Sequence, residues 1–171
     1  KIKTDQDGNA VMKVRAGTNL PMDKNGITRY AVNFAGNGKY AAITESASAK
    51  RAKLTVNFAT EDTIHYIRIN ARQVENNGEL KPIAKEKVIV YIPRLLSLLK
   101  IGEIDLDDKG EGQIEYQEKF VGDSLGKITV VAKIEENDTY GNVHGQSTTS
   151  WGIPKQYYLA ENPTRELWTP I

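Results

Sequence analysis

Apolar residues recur with a period of two along most of this chain. Residues 53–59, 63–69 and 87–92 alternate apolar and polar side chains, or run apolar, over the length of a strand. Residues 93–99 begin with a proline, and their short length favours a strand or a single turn over a helix. This spacing of short strands predicts an all-β sandwich. Further strands, separated by turn pairs such as Asp-Gly and Asn-Gly, are predicted at residues 10–14, 28–34, 43–47, 113–117, 127–134 and 143–149.

An internal repeat organises these strands. Residues 26–32 align with residues 126–132, and the alignment continues at a constant offset of 100 through Asn37 with Asn137 and Tyr40 with Tyr140. Upstream, residues 4–11 resemble residues 106–113 at an offset of 102. Residues 53–150 therefore carry a complete module, of about seven strands. Residues 1–50 match only the second half of such a module.

The repeated unit combines an Asp-x-x-Gly turn, an alternating strand, and a second strand that starts at a glycine and ends near an asparagine and a tyrosine. The two turns are Asp5-Gln6-Asp7-Gly8 and Asp107-Asp108-Lys109-Gly110. This unit resembles bacterial immunoglobulin-like modules, over most of the chain up to about residue 149. The resemblance implies an immunoglobulin-like Greek-key β-sandwich, tandem or partly duplicated. It also implies a spacer, adhesion unit or docking part of a cell-envelope protein.

The half-module at residues 1–50 raises a stability problem. Three strands alone leave an open edge and an uncovered apolar face in water. Residues upstream could complete it, the segment could pack onto the second module, or strands of another chain could complete it. The last alternative predicts an unpaired edge near residues 10–14.

Charge and cysteine content exclude several classes of partner. The 23 basic and 22 acidic residues are interspersed and leave a net charge of +1, so no nucleic-acid partner is expected. The absence of cysteine removes disulfides and thiolate metal sites, yet it leaves the compartment open. No apolar run approaches the roughly 18 residues of a membrane span. Residues 1–4 lack an initiator methionine, which indicates a processed or excised piece.

Two triplets, Asp62-Thr63-Ile64 and Asp123-Ser124-Leu125, resemble O-glycan acceptor sites of periplasmic bacterial proteins. Ordinary turn and strand residues are the alternative interpretation. Together with the module resemblance, the triplets favour an extracytoplasmic location, in the periplasm or at the cell surface. A membrane anchor beyond residue 171 in a longer protein is an open alternative.

No pattern in the sequence indicates catalysis. His65 and His144 lie in separate predicted strands without a second ligand at a short metal spacing. Residues 147–150 are hydroxyl-rich but contain no Gly-x-Ser-x-Gly elbow. Adjacent strand carboxylates such as Glu135 and Glu136 point to opposite faces and cannot act on one bond.

The loop at residues 105–110 begins with the acidic spacing of a calcium loop. Lys109 occupies a ligand position and no glutamate follows at the twelfth, so a β-turn is the favoured interpretation. We therefore predict no enzyme activity, no catalytic residue, no cofactor and no metal site.

Aromatic residues concentrate near the end of the chain. These aromatics are candidate interaction residues. They belong to a tail, residues 151–171, that holds three of the six prolines and is expected to be extended. Packing on the module is favoured, and a protein or membrane-proximal interface or a carbohydrate platform are alternatives. The four are Trp151, Tyr157, Tyr158 and Trp168.

The sequence thus predicts a non-catalytic structural or protein-interaction module of a bacterial cell-envelope protein. A carbohydrate-binding module is one alternative. An accessory subunit completed by strands from another chain is a second, and other protein chains are the expected partners. The residues predicted to form the core of the second module are Val56, Phe58, Ile64, Tyr66, Val88, Val90, Ile128, Val130 and Ala132.

Overall fold

The all-β prediction is confirmed. The structure is a computed structural model that describes residues 2–15, 18, 20–117 and 119–156. All regular elements within these ranges are β-strands, and every pairing between them is antiparallel. In chain order they are β1 (Ile27–Phe34), β2 (Ile43–Lys50), β3 (Ala52–Glu61), β4 (Ile64–Val74), β5 (Leu80–Pro82), β6 (Lys87–Pro93), β7 (Leu98–Asp105), β8 (Glu111–Tyr116), β9 (Ile128–Asn137) and β10 (Gly141–Thr149).

Two sheets share one apolar core. In the first, β4 pairs with β3 along one edge and with β5 and β8 along the other. The second has the strand order β10-β9-β6-β7. Alternate residues of each strand point inward because side chains in a strand have a period of two. The largest fully buried side chains are Ile67, Ile69, Ile83, Val88, Val90 and Val130.

Strands β1 and β2 form a separate two-stranded sheet. Their register runs from Ile27 opposite Lys50 to Phe34 opposite Ile43. Arg51 alone separates β2 from β3. At this junction the Lys50 N–H donates to the Thr139 carbonyl over 2.9 Å, and the Arg51 carbonyl accepts the Val74 N–H over 2.8 Å.

One turn geometry occurs at four loops. Each loop begins with an aspartate whose Oδ1 accepts backbone N–H bonds from residues two and four positions later, over 2.8–3.1 Å. The fourth residue of each is a glycine at positive φ, which glycine adopts without steric cost. The aspartates are Asp5, Asp23, Asp107 and Asp123.

The predicted core is largely confirmed, but the register predicted for β4 is wrong. Ile64 is exposed and Tyr66 points away from the core, which instead receives Ile67, Ile69 and Ala71. The cause is the two-residue turn Asp62-Thr63, where both residues have positive φ. A turn of this length places residue 61 opposite residue 64, and it thereby aligns odd-numbered β4 residues with the inward residues of β3.

The strand predicted at residues 10–14 does not form. Val11 and Met12 are exposed, and no strand is assigned between residues 2 and 15. A strand needs a neighbour to accept its main-chain hydrogen bonds, and the described residues offer none beside this segment.

Two strands, β5 and β7, were not predicted. The turn within residues 93–99 is confirmed, with the Arg94 N–H donating to the Ser97 carbonyl over 2.7 Å.

The closest approach of the two sheets at one edge requires a glycine. A Cβ built on buried Gly145 of β10 would overlap the Leu54 carbonyl oxygen and lie 2.8 Å from its carbon. We expect Gly145→Ala to lower the free energy of unfolding by about 1–3 kcal/mol, the usual cost of overpacking. Chemical denaturation measures this, with Gly38→Ala as control because its Cβ meets nothing within 4 Å. Equal stability of the two variants would contradict the close approach.

Candidate functional site

The strongest candidate site is an interaction surface on the β1–β2 hairpin. Tyr30, Val32 and Phe34 lie on one face of β1, opposite Ala47, Glu45 and Ile43 of β2. We call the five uncharged residues among these six the hairpin face. All five are exposed, and Val32 exposes 72 % of its surface. Exposed apolar surface of this kind, here interrupted by the Glu45 carboxylate opposite Val32, marks an interaction site.

The other side of the same hairpin is polar. It carries Arg29 and Asn33 on β1 and Thr44, Ser46 and Ser48 on β2. Asn33 Nδ2 donates to Thr44 Oγ1 over 2.8 Å, and the apolar residues of β1 on this side are Ile27 and Ala31. A hairpin that is apolar on one face and polar on the other has the pattern of a sheet with one face packed.

On the β9–β10 hairpin, the β9 residues of the corresponding face are buried. At the offset of 100, residues 28, 30, 32 and 34 of β1 correspond to residues 128, 130, 132 and 134 of β9. All four residues on β9 are buried in the core of the sandwich. Thr28 on β1 is also buried, whereas Tyr30, Val32 and Phe34 are exposed, so the two hairpins differ in what lies against most of this face.

The edges of the two hairpins differ in the same way. On its edge away from β10, β9 pairs with β6, with Val90 opposite Ala132. β1 has only β2 as a strand neighbour among the described residues. A free strand edge next to an uncovered apolar face is a surface that can accept further strands.

Trp151 packs inside an aromatic cluster. Its ring stacks on His65 at a centroid distance of 4.3 Å, meets Phe58 edge-on at 5.1 Å and lies 5.6 Å from Tyr116. The His65 ring also makes a hydrogen bond with Thr60, with 2.9 Å between Nδ1 and Oγ1. Trp151 thus closes one end of the sandwich. The other three candidate aromatics, Tyr157, Tyr158 and Trp168, lie outside the described residues.

Sequence reasoning missed a polar cluster on the outer face of the β3–β4–β8 sheet. It borders an open depression of about 590 Å³. Arg68 Nε donates to Gln113 over 3.2 Å, and one Glu111 oxygen accepts from Asn70 over 2.9 Å and from Arg72 over 3.2 Å. The alternation of residues 68, 70 and 72 was visible in the sequence, but their partners on β8 follow only from the sheet order. These groups satisfy one another across the strands, as in an ordinary solvated sheet face.

The residues considered for catalysis and metal binding are dispersed. His65 and His144 lie on different strands, and His144 points to the opposite face of β10 from Ser147. Asp107 Oδ1 accepts the N–H groups of Lys109 and Glu111, as a β-turn requires. Within the described ranges no three His, Cys, Asp or Glu side chains gather as metal ligands.

Backbone hydrogen bonds control the charge of two turn carboxylates. Bonds from the Ile27 and Asn25 N–H groups hold the pKa of Asp23 below its ordinary value. The N–H groups of Lys127 and Leu125 lower the pKa of Asp123 in the same way. The two carboxylates are therefore structural anions that fix the entry to β1 and to β9.

A second exposed apolar feature is the tip of the β6–β7 hairpin. Leu95 and Leu96 expose 97 % and 94 % of their surface. The neighbouring Arg94 guanidinium lies 5.0 Å from the Phe120 ring, which fixes the base of this tip.

Comparison with known protein families, with curated proteins and with solved structures found no match to this chain. In the part of the chain that the structure describes, no helix has the length and apolarity needed to cross a membrane.

A matched pair of substitutions tests whether the hairpin face is uncovered. Val130→Ala removes two buried methyl groups, and we expect a loss of about 2–3 kcal/mol in unfolding free energy. Val32→Ala makes the same change on the hairpin face, and we expect a loss below about 1 kcal/mol, within the range of strand propensity alone. Urea denaturation of both variants makes the comparison. A loss at Val32 as large as that at Val130 would show that the hairpin face is packed.

Proposed function

We propose that this chain is a non-catalytic structural or protein-interaction segment of a bacterial cell-envelope protein, built from immunoglobulin-like modules and located outside the cytoplasm. The sheet order supports the module type. The chain passes between the two sheets so that β4 lies beside β8 and β6 lies beside β9. Neighbours of this kind are typical of Greek-key sandwiches of the immunoglobulin class.

The proposed duplication draws support from hydrogen bonds as well as from sequence. The turns at Asp5 and Asp107, and those at Asp23 and Asp123, use the same donors and acceptors at matched positions. The turn after each hairpin's first strand also matches, since the side-chain oxygen of Asn37, like that of Asn137, accepts N–H groups two and three residues later.

The junction between the hairpin and the sandwich is the observation that carries the structural role. A single residue, Arg51, connects them, and main-chain hydrogen bonds at Lys50 and Arg51 tie both sides to the sandwich. The Asn76 side chain adds a bond to the Asp23 carbonyl. Such a short, bonded connection fixes the distance and angle between consecutive modules, which a spacer requires.

Of the alternatives, the uncovered hairpin face favours a subunit of a larger assembly over a carbohydrate-binding module. The sugar platform expected in residues 151–171 needs an exposed ring among the candidate aromatics. Trp151, the one candidate aromatic within the described residues, instead contacts His65, Phe58 and Tyr116.

An insertion at the junction tests the structural role. We expect Gly-Ser-Gly-Ser placed between Arg51 and Ala52 to leave the sandwich folded, since β3 to β10 keep all their pairings. In the source cells the variant should lose its native assembly, seen as a smaller complex on native gels, because the module spacing is no longer fixed.

The same insertion between Gly38 and Lys39, in the exposed turn of the first hairpin, is the control and should leave the complex intact. Two results would contradict the proposal. One is an unchanged complex with the junction insertion. The other is a protein that stays inside spheroplasts, protected from added protease, since this places it in the cytoplasm.

A further inference from the structure

We propose that the hairpin face is covered by a β-sheet segment of the same polypeptide, directly upstream of Lys1, which supplies the counterparts of β3 to β7. This inference rests on the module duplication in the proposed function, and it names the partner of the hairpin face. Two elements of the first fifty residues lack a neighbour, and their counterparts in the second module identify the missing strands.

The first such element is β1. Its counterpart β9 pairs with β6, and the face of β9 packs on the β3–β4 sheet. At the offset of 100, the edge that pairs with β6 at residues 131–133 corresponds to residues 31–33. The missing neighbour of β1 is therefore the counterpart of β6, running antiparallel to it.

The second element is the segment of residues 9–14. At the offset of 102 it corresponds to β8, and both follow the same aspartate turn. β8 pairs with β4 from His65 to Asn70. Met12 and Val14 are exposed, whereas their counterparts Ile114 and Tyr116 pack against the core. The missing neighbour of this segment is the counterpart of β4.

Both missing strands lie in one continuous stretch of the second module, from β3 to β7. One segment of about 50 residues would therefore satisfy the β1 edge, the hairpin face and residues 9–14 together. A second copy of this chain cannot do so by its own hairpin, because that hairpin carries no counterpart of β4 and leaves residues 9–14 unpaired. This argument favours a segment with the β3–β7 pattern.

The repeat position of Ile2 favours a segment of the same polypeptide. Ile2 corresponds to Ile104 of β7, the strand that leads into the Asp107 turn. Ile104 is buried, whereas 53 % of Ile2 is exposed. Residues 2 and 3 align with Ile104 and Asp105, the last two residues of β7, although they form no strand within the described residues. The strand before them is then covalently continuous with Lys1.

Side-chain volumes also constrain the upstream segment. Tyr30, Val32 and Glu45 replace the smaller Val130, Ala132 and Gly145 at matched positions. Interiors are close-packed, so the strands facing Tyr30 and Val32 must carry smaller side chains than β3 and β4 carry in the second module. The strand facing β2 must also lie farther away than Leu54 lies from Gly145, and it must offer the Glu45 carboxylate a polar partner or access to water.

Thiol reactivity tests the inference, because the chain has no cysteine and single-cysteine variants give one signal each. Ala47→Cys places a thiol on the hairpin face, and Ser46→Cys places one on the polar side of the same strand. Both residues are exposed, and both changes are small. Each variant is prepared as residues 1–171 and as the natural polypeptide with its upstream residues, and its reaction rate with a maleimide is measured.

We expect Ala47→Cys to react at least 10-fold more slowly in the longer polypeptide, and Ser46→Cys to react equally in both. Four results would overturn the inference. The first is an equal reaction rate of Ala47→Cys in the two polypeptide lengths, and the second is an equal slowing of Ala47→Cys and Ser46→Cys in the longer one. The third is a reaction of Ala47→Cys in residues 1–171 that slows as protein concentration rises, and the fourth is a natural polypeptide without upstream strands. The third would indicate a second copy. These rates do not depend on cell location or on the native complex, so the proposed function can fail while the inference stands, and the reverse.

Discussion

Burial of one apolar sheet face against another is the interaction on which residues 52–149 depend. Inward residues of β4, β6 and β9 meet in a continuous core, of which Ile67, Val88 and Val130 are fully buried. Each such side chain contributes about 1.5–3 kcal/mol by leaving water. The β1–β2 hairpin has a similar alternation without that second sheet, and Tyr30, Val32 and Phe34 stay exposed. The two halves of the molecule therefore differ in whether a second sheet covers the apolar face, and not only in the sequence of their strands.

Main-chain geometry explains how the hairpin keeps its shape and position without a core of its own. The Asp23 turn fixes the entry to β1 through two N–H bonds, and eight consecutive cross-strand pairs hold β1 to β2. The bonded junction at Arg51 then attaches the pair to the end of the sandwich. A strand edge and an apolar face are thus presented in a defined orientation, which suits a surface that accepts further strands.

The sequence was informative where a local rule decides the outcome. Alternation located most strands, and it identified Val88 and Val90 as core. It failed for Ile64 and Tyr66, because β4 has apolar residues at both parities and the glycine-free turn at Asp62 gave no sign of its two-residue length. The polar cluster around Arg68 depends on β8 lying beside β4, a contact between strands distant in sequence. Such pairings follow from the complete fold and not from any local pattern.

Amide hydrogen exchange within residues 1–171 is the most direct test of the claim that β1 and β9 share a pattern but not an environment. Residues 131–133 of β9 have strand neighbours on both edges and lie beside a buried face, so their amides should exchange only through global unfolding. In β1, the amides that point away from β2 should exchange close to the rate of an unprotected peptide, whatever the stability of the sandwich. Protection of those β1 amides equal to that of β9 would contradict this account, since it would show that β1 already has its second neighbour.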